Sequence, residues 1–153
     1  MTKSKRFDLM GHSMAGSELQ DPDSDLRGSL ARWAERMGCG LLLIFGSEAL
    51  GRARRGSDLD LAISFDPLPT AEERLRIVGE IQDLCAARNA DVVFLHPETD
   101  PVLRFEIFRD GEVLYECERG LFVEERVRAL MLYEDALPFR RALRERLATQ
   151  TDS

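Results

Sequence analysis

Long apolar runs are missing from this sequence. Nowhere do the roughly 18 apolar residues needed to cross a bilayer as a helix follow one another, so no membrane span is expected. Cysteine is sparse and unpaired: Cys39, Cys85 and Cys117 are odd in number and fall in no C-x-x-C spacing. That excludes a disulfide framework and leaves free thiols in a reducing compartment as the plain reading. His12 and His96 share no ligand spacing with any cysteine, so a zinc site is not expected. An excess of positive charge is missing too, with a net charge of −7 and a pI near 4.9. A basic face is the usual footprint of nucleic-acid binding, so no direct nucleic-acid binding is expected. Acidity does not stand against a nucleotide that arrives with its metal, and it leaves room for a basic protein partner. Lys3, Lys5 and Arg6 are not followed by an apolar core, so no secretory signal is expected and a cytoplasmic location is.

What is present describes one globular domain: 153 residues, 44% apolar and 32% charged, long enough to bury a core. The most informative stretch is Leu41 to Phe65. Leu41 to Phe45 is an uninterrupted apolar run flanked by Gly40 and Gly46, which predicts a buried strand, although periodicity alone also allows a helix. After Gly46-Ser47 comes a short, arginine-rich helical stretch, and then Ser57-Asp58-Leu59-Asp60-Leu61-Ala62-Ile63, where acids alternate with leucines. In a strand that alternation sets Asp58 and Asp60 on one face and Leu59, Leu61 and Ile63 on the other. Two like charges so close call for a counter-charge. Hard carboxylate oxygens favour Mg²⁺, which keeps waters and takes further oxygens from phosphates. Gly46-Ser47, at the mouth of the preceding strand, is a turn where backbone and a hydroxyl can approach an anion closely. Together these residues suggest metal-dependent phosphoryl or nucleotidyl transfer.

Along the rest of the chain, residues 1–23 lack a sustained period and are expected to form a flexible extension. Ser24 is the expected N-cap of a helix with Leu26, Leu30, Trp33 and Met37 on its buried face. Thr70-Ala71-Glu72-Glu73 has the form of a capping box and opens a helix to about Arg88, with Leu75, Val78, Ile81 and Leu84 or Cys85 as its stripe. Asn89-Ala90-Asp91 leads into the apolar run Val92 to Leu95, a second strand opened by a third acid; Asn-Ala-Asp is also ordinary turn chemistry. Strand, helix, strand suits a parallel crossover, and a mixed sheet is equally compatible. Pro101 to Arg109 has mixed helical spacing, Asp110-Gly111 is a turn, and Glu112 to Glu116 is a short last strand. A helix from Arg119 to about Glu134 is expected to turn Phe122, Val127, Leu130 and Met131 inward. Pro138 is expected to restart the chain into a short basic helix to Leu147, whose arginines form a solvated face or a docking surface, and 149–153 to fray as a disordered tail. The predicted architecture is a single α/β (α+β) domain over 24–148, with a mixed sheet covered by helices.

Gly46-Ser47, ten intervening residues and then Asp58-x-Asp60, with Asp91 opening a later strand, resemble the GS-x10-DxD signature of the DNA polymerase beta-like nucleotidyltransferases. The short length makes the chain similar to the minimal nucleotidyltransferases (MNT) in particular. The resemblance implies the nucleotidyltransferase fold, with Asp58, Asp60 and Asp91 as catalytic, Mg²⁺-holding carboxylates. It also implies that Gly46 and Ser47 hold the phosphates of ATP. Family members commonly carry arginine directly after the GS pair. Here Glu48 stands there, and Arg52, Arg54 and Arg55 are the nearest cations, with Arg52 and Arg55 the candidate nucleotide contacts; a solvated basic face is the alternative. The family pairs with HEPN proteins, so the implied function is an antitoxin that transfers AMP to a tyrosine of a HEPN RNase toxin. A small-molecule adenylyltransferase of the antibiotic-modifying kind and a non-catalytic antitoxin that blocks its partner by occlusion are the other two functions compatible with the sequence.

Overall fold

The computed structural model describes residues 22–52, 57–86 and 88–151. The expected extension before residue 22 lies outside them, as do Arg54 and Arg55. Chain order is α1 (Pro22–Met37), β1 (Leu41–Phe45), α2 (Gly46–Ala49), β2 (Leu59–Ser64), α3 (Ala71–Cys85), β3 (Ala90–Leu95), α4 (Pro101–Asp110), β4 (Glu112–Glu116) and α5 (Leu121–Thr151).

The four strands form one mixed sheet in the order β3-β2-β1-β4. β1 runs antiparallel to both β2 and β4, while β2 and β3, joined through α3, are parallel. Strand alternation divides the apolar residues between two layers. On one face Leu42, Ile44, Leu59, Leu61 and Ile63 meet Leu30, Trp33 and Ala34 of α1 and Ile77, Ile81 and Cys85 of α3. On the other, Leu41, Leu43, Ala62 and Leu95 meet Ile107 and Phe108 of α4 and Ala129 of α5. The β2 and β1 cores are almost fully buried on both sides, which explains why β1 reads as an unbroken apolar run.

Several elements sit where the sequence puts them. Thr70 caps α3 in a reciprocal box with Glu73, and its hydroxyl accepts from the Glu73 amide at 3.2 Å. Asp100 caps α4, accepting from the amides of Val102 and Leu103. The three cysteines are free thiols, and burial pushes the Cys39 thiol up to about 12.

Other expectations are corrected. Ser24 does not cap α1, which already begins at Pro22, a residue well suited to a first turn because its missing N–H has no partner to lose there. Met37 is 38% exposed, and Ala34 takes its place in the core. In α3 the buried stripe is Ile77, Ile81 and Cys85; Leu75 is 75% exposed. In α5 Val127, Leu130 and Met131 point outward, and Ala129 is the buried contact, its small side chain letting the helix lie close to α4. Pro138 does not break that helix. Its ring leaves the Glu134 carbonyl without a helical donor, but both residues are exposed and water can serve the carbonyl. α5 therefore runs on through Thr149 to Thr151, where a frayed tail was expected.

Candidate active site

The residues singled out in the sequence converge on one edge of the sheet, where β1 ends and β2 and β3 begin. Asp60 is the second residue of β2 and pairs in register with Asp91, the second residue of β3. Because parallel neighbours in register point to the same side, both carboxylates lie on the face shared with Ala62 and Val93, their strands roughly 4.8 Å apart. Asp58, two positions before Asp60, is exposed at the entry to β2. Asp60 feels both of the others. The Asp60 carboxyl is pushed above its ordinary range by burial first, and then by the charges of Asp91 and Asp58.

The bend faces them. Phe45 is the register partner of Asp60, so the chain leaves β1 directly opposite that acid. Gly46 follows with φ of +70°, a conformation that L side chains rarely adopt. A Cβ built on it would collide with the Asp60 carboxylate, meeting Oδ2 and lying 3.2 Å from Cγ. The backbone thus favours glycine, and any side chain there has to displace the Asp60 carboxylate. Ser47 is half-buried in the first turn of α2, and its carbonyl accepts from the Arg52 amide at 2.8 Å, closing the turn.

Arg52 is exposed at the end of that turn. Its charge is felt at the C-terminal end of α4. There the Asp110 carboxyl is held below its usual range mainly by its hydrogen bonds with Arg109, with Arg52 and Arg126 adding to the effect. Arg55 lies outside the described residues. Glu48 points away from any role as a loose negative charge beside the bend: its carboxylate accepts from Arg88 Nη2 at 3.0 Å, and its side chain is only 9% exposed. Arg88 was not singled out in the sequence. It stands forty residues from Glu48, and neither periodicity nor a local motif joins them.

The three acids are all carboxylate, a donor set that suits Mg²⁺ rather than a softer metal. Among the described residues no three His, Cys, Asp or Glu side chains are grouped so that they could hold a metal ion by themselves. The acids make an open row along one edge. That suits an ion which keeps waters and shares its remaining positions with substrate phosphates. A cavity of about 430 Å³ lined by Ser29, Arg32, Glu35, Arg36 and Leu84 lies between α1 and α3, on the opposite face, and touches none of these acids.

Known proteins bear on this geometry. Among curated proteins none matches the chain. Among solved structures, one described as a toxin-antitoxin with AMP-PNP is similar over 80% of this chain and 98% of its own, with a TM-score of 0.69 and 18% identity. An MNT antitoxin in complex with a tri-AMPylated HEPN toxin of Shewanella oneidensis is similar over 81% and 98%, with a TM-score of 0.64 and 16% identity. The MntA-HepT toxin-antitoxin gives 0.65 and 15% over 80% and 97%. At these identities the likeness is one of fold, that of a minimal nucleotidyltransferase. The family described as "Polymerase beta, Nucleotidyltransferase" matches residues 34–119, more than half of the chain and every acid of the site. With the glycine bend packed on Asp60 and Asp91 aligned beside it, the chain belongs to the polymerase beta-type nucleotidyltransferase family.

Proposed function

We propose that this nucleotidyltransferase is an antitoxin that moves AMP from ATP to a tyrosine hydroxyl of a HEPN-type toxin, in the cytoplasm, and so silences it. The observation that carries the reading is the Gly46 bend lying against Asp60 while Asp91 stands in register on the next strand. That layout offers a place for a phosphate tail and a place for the cations that neutralise it within one small edge. The complexes of similar fold support the partner, since one contains an AMPylated HEPN toxin and another AMP-PNP.

In this reading Asp58 and Asp60 hold Mg²⁺ and Asp91 completes the acceptor side of the row. The ion, when bound, supplies charge neutralisation for the phosphates and lowers the pKa of the acceptor hydroxyl. Gly46 and Ser47 present backbone and hydroxyl to the β and γ phosphates, and Arg52, with Arg55, adds positive charge at the mouth. Asp91, exposed in β3, accepts the tyrosine proton in this reading as the oxygen attacks the α-phosphorus and pyrophosphate departs. Positioning and charge do the work, as is general for such transfers. The structure also bears on the occlusion alternative. Glu48, an acid where family members commonly carry arginine, would favour it by opposing phosphates; paired with Arg88, Glu48 is no argument against nucleotide binding.

The test is to incubate the purified chain with ATP, Mg²⁺ and the HEPN-type protein encoded beside it, and to weigh that protein. It should gain one or more adenylyl units, mapped to tyrosine, and none with Asp58→Ala/Asp60→Ala. Full neutralisation of the toxin by that double variant would establish occlusion instead.

A further inference from the structure

The three pieces of the site come from three separate parts of the chain, and one side chain, carried just ahead of the third, bonds to residues flanking the other two. Arg88 Nη2 donates to Glu48, the residue after Ser47, at 3.0 Å. Its Nε and Nη2 also donate to the carbonyl of Ser57, the residue before Asp58, at 3.3 and 3.2 Å. Arg88 itself lies three residues before Asp91. Its own backbone is fixed in turn: Gln82 of α3 donates to the Arg88 carbonyl at 2.7 Å and accepts from the Ala90 amide at 3.0 Å. The Asn89 carbonyl accepts from the Leu59 amide at 2.7 Å, which ties the β3 entry to the β2 entry between the two acids. The Glu48 and Arg88 side chains are 9% and 19% exposed, so the pair is held in low dielectric, where a guanidinium fork fixes geometry well.

We propose that the Glu48–Arg88 pair is a positioning device for the site. It sets the distance between the Gly46-Ser47 bend and the Asp58-Asp60-Asp91 row, and therefore between a nucleotide's phosphate tail and the cations beside it. α2 is only one turn long, has no fully buried residue, and meets the core through the partly buried Ala49. The arginine fork adds a polar tie to that small apolar contact, and Glu48 anchors it from the bend side. The proposal rests on the carboxylate row being a cation site, as the transfer reading requires.

The test measures Mn²⁺ binding by titration calorimetry and amide hydrogen exchange at residues 46–48 and 58–60, alongside transfer to the partner. Arg88→Met alone strands a nearly buried Glu48 charge, so the decisive variant is Glu48→Gln/Arg88→Met, which removes both charges. It should keep the wild-type circular dichroism spectrum. It should bind Mn²⁺ about 10-fold more weakly, exchange faster at both segments, and lose about 10- to 100-fold in kcat with a smaller change in the KM for ATP, as for other groups that orient metal ligands. Arg88→Lys, which keeps a cation for Glu48 but not the fork on Ser57, should fall between the two. Wild-type Mn²⁺ affinity and wild-type exchange in the folded double variant would overturn the proposal. If the wild-type chain binds no Mn²⁺, the transfer reading fails by itself, and exchange at the two segments alone decides whether the pair holds them together.

Discussion

Two regions of the molecule break the ordinary rules of a folded surface, and they break them differently. At the carboxylate edge three acids stand near one another, yet the segments that carry them are linked: Glu48 and Ser57 through Arg88, and Leu59 to Asn89, with Gly46 lying close against Asp60. In the far half of α5, Phe139, Leu143 and Leu147 are 73%, 48% and 57% exposed, and among the described residues nothing from the sheet or the other helices buries them. One region holds repelling charges with a rigid frame, and the other leaves apolar surface on a helix with little to hold. A frame that keeps unfavourable charges in place is what a site needs before its cation and substrate arrive, whereas an untethered helix end contributes little to the fold.

The comparison is broken most sharply at Gly46. Gly38 and Gly46 share a φ of +70°, but a Cβ on Gly38 meets nothing within 4 Å, while one on Gly46 strikes Asp60. Both alanine variants carry the left-handed backbone cost of about 1–2 kcal/mol. Only Gly46→Ala must also displace the carboxylate, and a shift of about 1 Å at a reacting centre costs on the order of 100-fold in rate. Denaturant melts of the two variants should therefore differ by less than their transfer rates do. Equal rates for Gly38→Ala and Gly46→Ala would mean that the bend and the acid do not work as a unit.

The second prediction concerns the charge that the frame restrains. Because the folded Asp60 carboxyl lies above its unfolded range, its protonated form is the one the fold favours. The stability this gives is fully present below the ordinary carboxylate pKa and is lost as pH rises through the raised value, so at neutral pH the metal-free chain carries the penalty. Asp60→Asn should accordingly melt higher than wild type at pH 7 without metal, and the gap should close as pH falls through the carboxylate range. Adding Mg²⁺ should raise the wild-type melting temperature and leave that of Asp60→Asn nearly unmoved. A wild-type chain more stable than Asp60→Asn at pH 7 without Mg²⁺ would show that Asp60 is satisfied by the protein alone.

The edge was far more legible in the sequence than its supports. Acids alternating with leucines after a turn leave one strand register possible, so Asp58 and Asp60 were placed by period two alone. Asp91 followed because a helix between two apolar runs brings the second strand beside the first. Helix phase was harder. Leu75 and Leu130 are apolar but solvent-facing, and Ala129 is small but central, because what decides is how closely two helices approach, which a stripe of large residues does not report. Pro138 marked a break only under the assumption that its lost hydrogen bond would be buried. The Glu48–Arg88 pair had no local signal at all, since its partners meet only after β2, α3 and β3 have assembled.

The smallest effect is expected at the other pole of the comparison. From Pro138 to Thr151 every described residue except Arg140 is exposed, and the segment, about 21 Å long at 1.5 Å per residue, adds no residue to either core cluster. A helix this short is marginal in water, and here it is sustained by continuity with the packed first half of α5, where Phe122 and Ala129 meet α4 and the sheet. Removing residues 138–153 should reduce the helical circular dichroism signal by the share of helix deleted, yet leave the unfolding free energy within about 0.5 kcal/mol of wild type, as for surface changes generally. The two readouts separate because ellipticity counts ordered peptide units, whereas stability counts the surface they bury. A fall of several kcal/mol would place Phe139, Leu143 and Leu147 against the body in solution, and the contrast between a tied edge and a free helix end would then be one of position only, not of energy.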